Sequence, residues 1–110
     1  MGASTEWPDI CIITEYMPKG SLWQVLHDSN VPLSWELLRR IAIDAATGMN
    51  FLHCSNIIHR DLKSHNLLVD NSWKVKVADF GLSKMIEEKC TSTMTACGTP
   101  CWTGRFLSFK

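Results

Sequence analysis

Asp61, Lys63 and Asn66 stand close together in this chain, and Asp79 follows thirteen residues after Asn66. A carboxylate can accept a proton and an ammonium can steady a phosphate. An amide oxygen and a second carboxylate can hold a hard divalent cation such as Mg²⁺. Together these are the parts that phosphoryl transfer needs. The spacing narrows the reading, because His59-Arg60-Asp61-Leu62-Lys63-Ser64-His65-Asn66 and Asp79-Phe80-Gly81 are separated by a segment that can fold back on itself.

Leu67-Leu68-Val69 reads as a short apolar strand. Asp70-Asn71-Ser72 is turn chemistry, since short polar side chains bond to their own backbone. Lys74-Val75-Lys76-Val77-Ala78 alternates charge with apolar bulk, as a half-buried strand does. Pairing the two strands antiparallel returns Asn66 and Asp79 to the same end, within reach of Asp61. Upstream, Ser21-Leu22-Trp23-Gln24 has the form of a capping box and predicts a short helix through about His27. A longer helix starts after Ser34, with Glu36 in its first turn, and ends near His53. Its stripe of Leu38, Ala42, Ala45, Met49 and Leu52, widened by Leu37 and Ile41, predicts a largely buried helix. It delivers the chain to Ile57-Ile58 and the chemical loop. Ile10-Cys11-Ile12-Ile13-Thr14 reads as a further strand.

These motifs resemble the catalytic loop and metal-binding motif of eukaryotic protein kinases. The resemblance implies that Asp61 accepts the proton of the substrate hydroxyl, Lys63 steadies the γ-phosphate, and Asn66 and Asp79 hold Mg²⁺. Lys63, two residues after Asp61, is the serine/threonine pattern, and Thr99 in Gly98-Thr99-Pro100 matches the threonine set against the catalytic loop. Residues 10–22 resemble the last small-lobe strand and the interlobe hinge. On that likeness Thr14 is the gatekeeper, backbone groups of Glu15 and Met17 bond the adenine of ATP, and Leu68 and Ala78 contact its ring. His59 would pack beneath Phe80. Arg60 would clamp a phosphorylated activation loop, with Thr91, Ser92, Thr93 or Thr95 as the acceptor. The nearest group is the tyrosine-kinase-like one, with its Raf-like and mixed-lineage-like serine/threonine kinases. The expected architecture is α+β, a partial protein-kinase-like fold over residues 1–103 with a non-homologous tail at 104–110. Its partners would be ATP and a protein substrate.

Composition agrees. Lys and Arg number 11, as do Asp and Glu, so the formal net charge is zero and no basic stripe marks a nucleic-acid surface. No apolar run reaches the ~18 residues of a membrane span, and no signal-peptide pattern opens the chain. Glu6 stands where a myristoylation motif wants Ser or Thr. Five cysteines, Cys11, Cys54, Cys90, Cys97 and Cys101, form no Cys-x-x-Cys pair and lack zinc-finger spacing. They read as reduced cytoplasmic thiols, with Cys11 and Cys54 partly buried. Trp23, Trp35 and Trp73 fall at element starts, and His27, His53 and His65 are expected at the surface.

The 110 residues contain no Gly-x-Gly-x-x-Gly run over the phosphates, and no strand lysine with its helix glutamate can be assigned. The expectation is that these residues alone are inactive, with nucleotide affinity weaker than about 1 mM. A non-catalytic, kinase-derived binding module is the alternative. After Trp102-Thr103 the sequence departs from the kinase pattern. The reading is that residues 104–110 come from a retained intron or a misplaced exon end, and that Met1 is internal to a longer protein.

Overall fold

The computed structural model describes residues 1–85 together with Thr99 and Trp102. The elements run β1 (Gly2–Ser4), β2 (Cys11–Ile13), α1 (Leu22–His27), α2 (Trp35–Cys54), β3 (Ile57–Ile58), β4 (Leu67–Val69), β5 (Val75–Val77) and β6 (Lys84–Met85). A 3₁₀ turn at Ser64–Asn66 precedes β4. The strands form three two-stranded antiparallel sheets, β1–β2, β3–β6 and β4–β5. The architecture is therefore a small α+β assembly.

Local chemistry sets both helix starts. The Ser21 hydroxyl accepts from the Gln24 N–H, and the Gln24 side chain accepts from the Ser21 N–H, so α1 opens on a complete capping box. Ser34 caps α2 by accepting from the Leu37 N–H. The α2 boundaries match the sequence reading within a residue, as do those of β4. Strand β5 is shorter than its alternating run, with Lys74 and Ala78 lying just beyond its ends. In the connecting turn, Asp70 Oδ1 accepts from the N–H groups of Ser72 and Lys74.

The core gathers where the hairpin meets the helices. Leu22, Val25, Ile41, Leu67, Val69 and Val75 are buried together, with Leu37, Ala45 and Val77 packed against them. Burying side chains of this size contributes roughly 1.5–3 kcal/mol each. Helix α2 departs from expectation here, since Ile41 and Leu52 alone are fully buried and Ala42 is exposed. The described residues cover one face of α2, with β3 and the β4–β5 hairpin, and leave Ile43 and Phe51 on the open side. The cysteine expectation is likewise corrected, as Cys11 and Cys54 are both exposed. Cys11 lies on β2, whose three residues are all exposed, and Cys54 is on the uncovered side at the end of α2. Cys90, Cys97 and Cys101 lie outside the described residues. Strand β6, which pairs Ile57 with Met85 and Ile58 with Lys84, has no counterpart in the sequence reading. Among the described residues no helix is long and apolar enough to cross a membrane.

Candidate functional site

The hairpin works as expected. Leu67 pairs with Val77 and Val69 with Val75, and the Ala78 N–H donates to the Asn66 carbonyl at 2.8 Å. That last bond ties the residue before Asp79 to Asn66 itself. The two halves of the motif therefore meet at one end of the hairpin.

Asp61 is the hub of a connected cluster. Its Oδ1 accepts from the Thr99 hydroxyl at 2.6 Å, and its Oδ2 lies 3.0 Å from Lys63 Nζ. Lys63 Nζ also donates to Thr99 Oγ1 at 2.8 Å, which closes a triangle of Asp61, Lys63 and Thr99. The Thr99 hydroxyl, followed by Lys63, holds the Asp61 carboxyl down at about 2, below its ordinary value. Asp61 is thus ionised at any physiological pH. Asn66 is buried, and its Nδ2 donates to the Asp61 carbonyl at 2.9 Å and to Asp61 Oδ2 at 3.2 Å. Those bonds fix the amide orientation and leave Oδ1 as the acceptor end.

Beneath the cluster lies His59, only 1% exposed. The Asp61 N–H donates to His59 Nδ1 at 3.3 Å, so Nε2 carries the proton and donates to the Ala78 carbonyl at 2.8 Å. The imidazole also meets the Phe80 ring, with centroids 5.4 Å apart. One side chain thereby braces both halves of the site. Two of its residues, Arg60 and Asp79, have φ of 67° and 61°, the left-handed region that costs non-glycine residues energy. Asp79 Oδ1 accepts from the Gly81 N–H at 3.2 Å, and Arg60 Nε donates to the Leu82 carbonyl.

The residues that follow β2 lie against the hairpin. The Lys19 N–H donates to the Val69 carbonyl at 3.1 Å, and the Val69 N–H to the Gly20 carbonyl at 2.8 Å. Met17 is buried and its carbonyl accepts from the Gly20 N–H, whereas Thr14 and Glu15 are exposed. The Glu15 carboxylate pairs with Lys76 of β5. Leu68 and Ala78 are half-buried. Thr91, Ser92, Thr93 and Thr95 lie outside the described residues.

What could bind follows from the donor set. Among the described residues no three His, Cys, Asp or Glu side chains are grouped to hold a metal. Asn66 and Asp79 offer two hard oxygen donors, the small protein contribution typical of Mg²⁺, whose other positions go to phosphate and water. The residues therefore fit that ion. Sequence reasoning missed Asp44, whose Oδ2 accepts from the Val75 N–H at 3.0 Å, and the stacking of Trp23 on His27 and His65. Neither had a local signal beyond helical spacing.

The chain is similar in sequence to known proteins. A family model described as protein tyrosine and serine/threonine kinase matches residues 1–104. A Dictyostelium discoideum protein named probable serine/threonine-protein kinase drkB is 61% identical over 105 residues, covering 94% of this chain. Its relative drkA is 65% identical over 98 residues, or 87% of the chain, and the Arabidopsis thaliana protein named probable serine/threonine-protein kinase SIS8 is 50% identical over 104 residues, or 93%. The chain spans only 15% of the length of each of the first two and 10% of the third.

Proposed function

The chain belongs to the protein tyrosine and serine/threonine kinase family, and from that premise we propose that it carries the catalytic loop of an ATP-dependent serine/threonine protein kinase. The observation that carries this reading is the closed triangle of Asp61, Lys63 and Thr99, with Asn66 bonded into it. Asp61 accepts the proton of the attacking Ser or Thr hydroxyl. With its carboxyl held near 2, it is a weak base but a permanently charged acceptor, suited to orienting that hydroxyl. Lys63, which reaches both Asp61 and Thr99, supplies the positive charge for the transferred phosphate. Asn66 and Asp79 hold Mg²⁺, which neutralises phosphate charge when bound.

ATP enters against the hinge. Thr14 borders the pocket, Glu15 and Met17 offer backbone groups to adenine, and Leu68 and Ala78 form its apolar floor. The support is the pair of backbone bonds that fasten Lys19 and Gly20 to Val69, beside Leu68. The Gly20 turn takes the Met17 carbonyl, so the Met17 N–H is the backbone group it leaves for a ligand. Arg60 receives the phosphorylated activation loop, in which Thr91, Ser92, Thr93 and Thr95 are the acceptors. The kinase segment runs to residue 103, and residues 104–110 are a separate tail. Residues 1–5 and 98–103 resemble the tyrosine-kinase-like group, whose Raf-like and mixed-lineage-like members mostly modify Ser and Thr, and Lys63 two places after Asp61 is the serine/threonine pattern. Exposed free thiols at Cys11 and Cys54 suit the cytoplasm.

The test is phosphate transfer from labelled ATP to a mixed protein substrate by the intact protein carrying this sequence. Asp61→Asn keeps the shape and removes the proton acceptor, so turnover should fall about 10²–10⁴-fold. Equal turnover in the variant would overturn the assignment of Asp61. Label on tyrosine would overturn the hydroxyl class. Absence of any Mg²⁺-dependent transfer would favour the binding-module reading.

A further inference from the structure

The site has two halves, and α2, like β4, is attached to both. Its C-terminus leads directly into β3 and the loop that carries Asp61. The other half, the strand that leads to Asp79, touches α2 only through space. Its hold there is specific. In the hairpin the hydrogen-bonded pairs include Asn66 with Ala78 and Asp70 with Lys74. Antiparallel alternation then makes Val69 with Val75 and Leu67 with Val77 non-bonded pairs, so the N–H groups of Val75 and Val77 point away from β4. They face the outer edge of a sheet that is two-stranded among the described residues. Asp44 meets that edge, its Oδ2 accepting from the Val75 N–H at 3.0 Å. One turn further along α2, Gly48 lies so near β5 that a Cβ there would fall 2.9 Å from Val77 Cγ2. A carboxylate and a missing side chain, four residues apart on one helix face, thus grip alternate residues of the strand.

We propose that Asp44 is a positioning residue for the Asp79 carboxylate, with Gly48 setting how closely the strand approaches. Asp44 fixes the strand along its length, and Gly48 fixes its depth, two residues before Asp79. Asp79 itself sits in left-handed backbone that relaxes unless its neighbours hold it. Aligning Asp79 with Asn66 across the hairpin end therefore depends on α2 as well as on β4. The inference rests on the proposed role of Asp79 as a metal ligand.

The experiment uses the intact protein and two readouts that need no turnover: amide exchange at Val75, and the Mg²⁺ concentration at half-maximal ADP binding. Asp44→Asn keeps an acceptor oxygen and should stay within about two-fold of wild type in both. Asp44→Leu removes the acceptor. Val75 exchange should then quicken about ten-fold or more, and the Mg²⁺ midpoint should rise about ten-fold, as when a metal ligand loses its outer support. An unchanged Val75 rate, or a faster rate with an unmoved midpoint, overturns the proposal. Should Asp44→Leu fail to fold, Gly48→Ala decides, since it displaces Val77 while Asp44 keeps Val75. Its midpoint should rise with Val75 still protected, and an unmoved midpoint counts against the proposal. Asp79→Asn separates the two readings. If it leaves the midpoint where wild type has it, the metal role of Asp79 fails, while Val75 exchange still judges the grip of Asp44.

Discussion

Replacing His59 by phenylalanine tests whether one buried ring holds the two halves of the site together. Phenylalanine keeps an aromatic ring against Phe80 and removes both nitrogens, so the loss is confined to two hydrogen bonds. The bond from Nε2 to the Ala78 carbonyl is 2.8 Å long, and the one from the Asp61 N–H to Nδ1 is 3.3 Å. His59 is only 1% exposed, so water cannot easily replace either bond. Leaving a buried backbone group unpaired costs about 1–3 kcal/mol, and the longer bond contributes the smaller share. The local loss should be about 2–3 kcal/mol, equivalent to roughly 30–150-fold faster exchange of the Asp61 amide. Exchange of the Val25 amide in α1, whose N–H donates to the Ser21 carbonyl, should stay near the wild-type rate. Turnover should fall about 10²-fold, because Asp61 and Asp79 lose their common brace. Asp61 exchange within about two-fold of wild type would refute the reasoning, since it would mean that His59 fills space and bonds nothing.

Thr99→Val removes the largest cause of the low Asp61 carboxyl value, so its titration midpoint should rise from about 2 toward the ordinary 3.8. Thr99→Ser should keep the low value, and ¹³C carboxyl titration reads both. The sign follows from the direction of the shift: the Asp61 contribution to stability is full above 3.8 and is lost as pH falls through about 2. In Thr99→Val that contribution should be smaller, its loss still beginning near the unfolded value of 3.8 but finishing at higher pH, and an unmoved midpoint would remove Thr99 from the cluster. Gly20→Ala forces φ of 70° on a residue with a Cβ and drives that Cβ into the Gln24 side chain. It should cost about 1–3 kcal/mol and open the capping box, seen as faster exchange at Gln24.

The sequence alone determined the elements whose signals are local. Ser21 with Gln24, and Ser34 ahead of Trp35, set the helix starts because a capping side chain reaches only the next three residues. Asp70 set the hairpin turn by bonding backbone two and four residues on. The spacing of Asp61, Lys63, Asn66 and Asp79 carried the chemistry, and the family match agrees with it. Tertiary structure decided how distant groups bond to complete the site, including Thr99 and His59, which the resemblance names, and Asp44, which it does not. Thr99 reaches Asp61 across 38 positions, His59 reaches the Ala78 carbonyl across 19, and Asp44 reaches Val75 across 31. It also decided that α2 buries one face and not most of its surface, and that Cys11 and Cys54 face outward. The reason is physical. A cap or a turn is a bond between near neighbours in the chain. A bond between remote residues, or the burial of a helix face, exists only once packing has fixed where each element lies.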